Sequence, residues 1–165
     1  MVKAKKIDLP KTAAEILANV AGYSVFVITI AFMIFGWDKL PEEIPAHFNA
    51  AGEVDRYGSA IELLILPVIG LLVGAGMEVL ERFPEIHNYP ARLDDSNREA
   101  FYLNSRLILN LSKNMIFIIF SIIILEMMSV AINKTALFGE WLLPVILILV
   151  LGPVVFGMIQ RRKIK

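Results

Sequence analysis

The sequence contains no cysteine. That absence excludes a disulfide framework, a thiolate nucleophile and Cys-ligated zinc together. Histidine is nearly as scarce, with His47 and His87 alone, so a His-rich metal centre is excluded as well. Charge is sparse and balanced: charged residues make up 19% of the chain, sixteen basic against sixteen acidic. Soluble domains carry about 25%. Without an overall basic field, nucleic acid is not an expected partner. Catalytic signatures are also missing. There is no Gly-x-Ser-x-Gly elbow, no His-Glu-x-x-His, no Walker glycine loop and no Gly-x-Gly-x-x-Gly. No serine has an evident histidine partner within the apolar runs. The expectation is a chain that is not an enzyme and takes no cofactor.

Apolar residues are what the sequence has in plenty. They form 57% of its 165 residues, above the roughly 45–50% of soluble domains, and the mean hydropathy is +0.66. They gather in runs at Ile16–Trp37, Ile61–Leu80, Met115–Ile132 and Trp141–Ile159, which are 22, 20, 18 and 19 residues long. A helix rises about 1.5 Å per residue and a bilayer core is about 30 Å thick, so each run is long enough to span. None carries the alternation of a barrel strand. The expected fold is an all-α integral membrane protein: one four-helix membrane domain over residues 1–165, the third span entering from about residue 108. The first run is longer than a signal-peptide core and ends in Phe35-Gly36-Trp37-Asp38 without a small-x-small site, so it is expected to stay attached.

Orientation follows from the basic residues. Four lie in the N-terminal tail (Lys3, Lys5, Lys6, Lys11). Five lie between the second and third runs (Arg82, Arg92, Arg98, Arg106, Lys113), and four in the C-terminal tail (Arg161, Arg162, Lys163, Lys165). That places thirteen on one side against Lys39, Arg56 and Lys134 on the other. Both termini are therefore expected in the cytoplasm of a multi-pass cell-membrane protein. Residues 38–60 and 133–140 then face outward, with Trp37 and Trp141 both at the outer interface.

Within the spans, Pro67 is expected to kink the second helix about one turn below its outer end, and Gly152-Pro153 to bend the fourth. Gly70 and Gly74 form a small-xxx-small pair suited to helix packing within the chain, with a homodimer face as the alternative. Glu62 and Glu78 lie near span ends, where they can snorkel. Glu126 lies six residues from the end of the third run, roughly 9 Å inside. A carboxylate among apolar neighbours there is either a working intramembrane group, with its pKa raised by desolvation, or a structural hydrogen-bonding group.

The outer loop is dense in conformational constraints. Pro41 and Pro45 set extended corners, and Asn49 through Gly52 is turn chemistry with Gly52 suited to positive φ. Ile44, Phe48, Val54 and Tyr57 supply apolar contacts, and the expectation is a defined extracytoplasmic cap. His47, Asn49, Glu53, Asp55 and Arg56 are its candidate binding residues. The donor types of His47, Glu53 and Asp55 also suit a metal, but without motif spacing no metal site is assigned. In the inner loop, Ser96 and Glu99 have the spacing of a capping box. The helix they open is expected to run unbroken into the third span as a solvated juxtamembrane helix. Arg98, Arg106 and Lys113 would then lie near the anionic inner leaflet.

The outer stretch Leu40-Pro-x-x-Ile-Pro-x-His-Phe-Asn-x-x-Gly-Glu-x-Asp-Arg-Tyr-Gly58 resembles the signature of the DUF1648 membrane-protein family. An inner stretch, Tyr89-Pro90-x-Arg-Leu-x-x-x-Asn97 followed by Tyr102 and Arg106, is similar to a second segment of those proteins. The likeness extends over roughly residues 20–115. DUF1648 also forms the N-terminal part of SdpI-like bacterial immunity proteins, which protect a producing cell from a secreted toxic peptide and can signal to a repressor. The resemblance thus implies a bacterial or archaeal membrane protein that binds, senses or confers immunity through its outer loop. A cationic peptide would suit the loop's acidic excess, and another membrane protein or a second copy of the chain are further partners to consider. A small transporter or channel component using Glu126 is the alternative.

Overall fold

A computed structural model describes residues 6–165; Lys3 and Lys5 lie outside the described residues. The elements are α1 (Ala13–Phe35), β1 (Glu43–Phe48), β2 (Val54–Ser59), α2 (Ile65–Glu81), α3 (Arg98–Asn133) and α4 (Leu142–Arg162). Four stretches are long and apolar enough to cross a membrane: Ala13–Phe35, Ala60–Glu81, Arg98–Asn133 and Gly139–Arg162. At 36 residues α3 is about 54 Å long, well beyond a hydrocarbon core, and it is the hub on which α1, α2, α4 and β1 all pack.

The helices form where the sequence supplies both apolar length and terminal chemistry. Thr12 and Glu15 make a reciprocal capping box at the start of α1. The Thr12 hydroxyl accepts from the Glu15 N–H at 3.3 Å, while the Glu15 carboxylate accepts from the Thr12 N–H at 2.7 Å. At α3 the expected box does not form. The Asp94 carboxylate accepts the Ser96 N–H, the Ser96 hydroxyl and the Asn97 N–H, leaving Asn97 at the N-cap position without a side-chain cap. The Asp94 carboxylate has taken the Ser96 N–H that Glu99 would accept in a capping box, and it holds the Ser96 hydroxyl as a donor as well. The helix nonetheless runs unbroken into the third span.

Pro67 falls in the first turn of α2, directly after a 3-10 turn over Ala60–Leu64, where a missing N–H is tolerated. Pro153 lies inside α4, which continues through Gly152-Pro153 to Arg162.

Packing between helices uses rings set against glycines. A Cβ on Gly70 would lie 2.7 Å from Phe26 Cζ, and one on Gly74 would lie 2.3 Å from Phe117 Cζ. The small-xxx-small pair is thus filled by α1 and α3 of the same chain. Phe32 and Phe35 face outward, whereas Met127 is buried.

The hairpin β1–β2 is antiparallel, with irregular register between Pro45 and Phe48. Its turn is closed by the Gly52 N–H donating to the Asn49 carbonyl at 3.0 Å, with Gly52 at φ +76° as its position requires. Fully buried Ile44 drives the hairpin into a cluster with Met33, Leu63, Ile124 and Met128, and Trp37 and Phe48 pack around it. Tyr57, expected among the apolar contacts, is instead 58% exposed.

Candidate functional site

The hairpin keeps its polar side chains outside. His47, Glu53, Asp55 and Arg56 are exposed and Asn49 half-buried, while Pro45 and Gly52 are buried and Pro41 is half-buried. His47 Nδ1 lies 2.6 Å from Asp55 Oδ1. Glu53 turns away from that pair to accept from Asn49 Nδ2 at 3.1 Å, and Asn49 Oδ1 accepts from the N–H groups of Ala51 and Glu53. The three donors considered for a metal therefore do not converge, and among the described residues no three His, Asp or Glu side chains do. Arg56 donates to Glu62 Oε2 at 2.9 Å and to the Ala46 carbonyl at 3.3 Å, and Glu62 raises its pKa above the ordinary value. Arg56 thus fastens β2 to the start of the second span, where Glu62 is both paired and part-exposed. The turn is seated as well. A Cβ on Gly52 would lie 1.8 Å from the Gly139 carbonyl oxygen in the α3–α4 connection.

That connection explains Glu126. The chain leaves α3 through Lys134 in the left-handed region (φ 55°) and folds back along the helix. Glu126 Oε2 accepts the N–H groups of Leu137 and Phe138 at 2.8 and 3.0 Å, and Oε1 accepts that of Gly139 at 3.2 Å. Its surroundings are therefore peptide donors rather than the apolar neighbours expected from its place in the run.

A second polar assembly lies at the opposite end of the bundle, where the sequence placed a solvated helix. Arg98, Arg106 and Lys113 all point inward: Lys113 has no exposed surface, and Arg98 and Arg106 retain 5%. The Arg106 guanidinium grips Glu15 in a two-pronged pair (Nε to Oε1 2.7 Å, Nη2 to Oε2 2.9 Å) and donates to the carbonyls of Leu9 and Pro10. Lys113 pairs with Glu78 and, at 2.7 Å, with buried Glu81, and Lys11 closes over both carboxylates. Asn110 donates to Glu81 and to Asn19 Oδ1, and Asn114 donates to that same oxygen, all at 2.9 Å. Three carboxylates (Glu15, Glu78, Glu81) meet three cations (Lys11, Arg106, Lys113), so the cluster carries no net charge. That balance is what allows it to be buried. Glu15 and Arg106 are separated by the same 91 residues as Asn19 and Asn110, as expected of two parallel helices in constant register. A cavity of about 550 Å³ opens beside the cluster, lined in part by Lys6, Asp8, Lys11, Glu81, Arg82 and Arg106. Two sequence signals could have revealed the assembly: the Thr12–Glu15 box, and the inward period Arg106, Asn110, Lys113, Phe117.

The remaining residues of the α2–α3 connection tie it to α3 and α4. Asn97 Oδ1 accepts from the Asp94 N–H and its Nδ2 donates to the Arg92 carbonyl. Tyr89, beside half-buried Pro90, stacks on buried Tyr102 with ring centroids 5.2 Å apart and donates to the Pro84 carbonyl at 2.6 Å. Burial pushes the Tyr89 hydroxyl up to about 12, while the hydrogen bonds from Ser96 hold the Asp94 carboxyl below its ordinary value. His87 does meet a serine: Nδ1 lies 2.9 Å from Ser105 Oγ, and Nε2 lies 3.1 Å from the Leu80 carbonyl. Ser105 is buried, and its partner's other nitrogen faces a carbonyl rather than a carboxylate.

An uncharacterized protein of Archaeoglobus fulgidus is 40% identical over 75 residues, which is 44% of this chain and 39% of that protein. The match thus spans about two-fifths of the relative's length. No solved structure matches the chain. The family model that matches is described as a domain of unknown function, and it runs from the middle of α1 through the hairpin into α2, so the chain carries a DUF1648 segment at residues 25–71.

Proposed function

We propose that this is a multi-pass protein of a bacterial or archaeal cell membrane, both termini cytoplasmic, that binds or senses a partner through its outer hairpin. One observation carries the reading: the hairpin is fastened beneath and leaves its polar side exposed. Ile44 is fully buried, Gly52 sits on Gly139 and Arg56 is tied to Glu62, yet His47, Glu53 and Asp55 face outward. A rigid scaffold presenting polar loop residues is a common arrangement for recognition. Around it Asp38, Glu42, Glu43, Glu53 and Asp55 face two basic residues, Lys39 and Arg56. That excess favours a cationic partner such as a secreted toxic peptide, the occupant that an immunity role would require. The reading is of a binding protein rather than an enzyme. The alternative of transport through Glu126 is weakened, because three backbone donors already engage that carboxylate.

Two experiments test the proposal. Single cysteines at exposed Ala51, Ala91 and Ala136 stand on a cysteine-free background. An impermeant maleimide on intact cells should label the first and third and spare Ala91; labelling of Ala91 alone inverts the topology. For binding, His47→Ala and Asp55→Ala should reduce protection against, or binding to, cationic antimicrobial peptides at unchanged thermal stability. Loss of stability with unchanged binding would make the hairpin a closing cap.

A further inference from the structure

A second cavity, of about 420 Å³, lies between the inner loop and the end of α4, with Tyr89, Pro90, Arg92, Met158, Arg161 and Arg162 among its lining. Among the described residues, three arginines line it and no carboxylate does. We propose that it holds the phosphate of an anionic phospholipid, with the headgroup on the arginines and an acyl chain along α4. The assignment is independent of the hairpin reading and of which side of the membrane this end faces.

Charge is the first argument, and preorganisation is the second. The Arg161 guanidinium carbon lies 5.9 Å from the centre of the Tyr89 ring, and its Nε donates to Asn104 Oδ1 at 3.2 Å. The Arg92 guanidinium carbon lies 5.3 Å from the centre of the Phe101 ring, and its terminal nitrogens donate to the carbonyls of Arg161 and Ile164, both at 2.6 Å. Two long side chains are thus already fixed, so capturing an oxyanion sacrifices little rotamer freedom. Each retains N–H donors, since a guanidinium carries five. Arg161 keeps both terminal nitrogens for the forked geometry that suits phosphate.

Depth is the third argument. Trp141 marks the far end of the span, and Arg161 is twenty residues further along. That separation is about 30 Å along a helix, one hydrocarbon thickness, which brings the arginines to headgroup level. The path for an acyl chain is the fourth. Ile148, Leu151, Val155 and Met158 follow helical spacing on one side of α4 and are 70%, 55%, 52% and 52% exposed. They form an apolar track that ends at the cavity.

The test uses the full chain purified in detergent, with bound phosphatidylglycerol and phosphatidylcholine counted by native mass spectrometry. Phosphatidylglycerol should be retained preferentially, and Arg161→Gln should reduce its occupancy by roughly five-fold or more. Arg162→Gln should reduce it in the same direction while sparing the Arg161–Asn104 contact, so a poorly folded Arg161 variant does not end the test. Lys163→Ala removes equal charge at an exposed position outside the cavity lining and should leave occupancy unchanged. Equal retention of the two lipids, or equal loss in Lys163→Ala, would overturn the site. Displacement of the lipid by glycerol 1-phosphate at matched concentration would overturn the membrane source in favour of a soluble phosphate.

Discussion

Breaking the pair between Glu15 and Arg106 is expected to destabilise the protein as a buried ion pair would, although the sequence places both residues where a headgroup layer should hydrate them. Glu15 has no exposed surface and Arg106 has 5%. Arg106→Met leaves the carboxylate with only its Thr12 donors and frees the carbonyls of Leu9 and Pro10. Removing one partner of a buried pair costs about 3–5 kcal/mol. Glu15→Gln removes the charge but keeps one acceptor oxygen, so a loss of about 2–3 kcal/mol is expected, in the range of hydrogen bonds to charged groups. Combining Glu15→Gln with Arg106→Met removes the orphaned charge as well as the bond, so the double variant should be less destabilised than the two single losses predict. A coupling of about 2 kcal/mol is expected from a double-mutant cycle, measured by equilibrium unfolding in mixed micelles. Single losses below about 1 kcal/mol that simply add would be the signature of a solvated pair. That result would refute burial and restore the solvated juxtamembrane helix.

Three further expectations follow from contacts elsewhere. In Glu126→Gln one acceptor oxygen replaces two, so at least one of the Leu137, Phe138 and Gly139 N–H groups loses its partner; a loss of about 1–3 kcal/mol in thermal unfolding is expected, and an unchanged transition would remove the capping role. Gly74→Ala should destabilise by about 1–3 kcal/mol through overpacking against Phe117, while Gly76→Ala, with nothing within 4 Å, should not; equal effects would refute the packing. Tyr89, raised to about 12 in the fold, contributes stability that is fully present below its unfolded pKa near 10 and is lost as pH rises through 12. Subtracting the phenolate absorbance titration of Tyr89→Phe from that of the native chain should isolate this late step, and ionisation near 10 would contradict it.

The four spans were legible because a bilayer leaves no alternative: backbone polar groups must bond internally over about 30 Å, which forces apolar runs of known length. The continuity of α3 was legible too, since nothing between Arg98 and Met115 breaks a helix. The hairpin was read only as constrained corners around a turn. Prolines and a displaced register blur the two-residue alternation by which a strand announces itself. The fate of Arg98, Arg106 and Lys113 was misread for a different reason. A lysine at a span end looks the same whether it snorkels or pairs, and its carboxylate partners lie 32 and 35 residues away on another helix. The donors that meet Glu126 were not legible because counting residues from a span end assumes that the chain departs there, whereas this connection turns back along α3.

Lipid supplies no hydrophobic drive for one apolar helix to seek another, so helices in a membrane are held by close packing and polar contacts. Along α3 those contacts are unevenly shared. Near its N-terminal end α1 and α2 are bound to it through six balanced charges and three asparagines. In the middle, Phe26 and Phe117 fill the places left by Gly70 and Gly74. Near its C-terminal end Ile44 of the hairpin closes the apolar cluster. The fourth helix has less. Its beginning hangs on the connection held by Glu126, and its end on Asn104, which donates to the Gly157 carbonyl at 3.0 Å and accepts from Arg161, and on Arg92, which donates to the carbonyls of Arg161 and Ile164. Between them α4 presents its apolar surface outward, with 17% of its most hydrophobic stretch buried. A helix with such a lipid-facing flank depends on what lies against that flank. A lipid drawn into the arginine cavity would add to its fastenings at the end where α4 meets the α2–α3 connection.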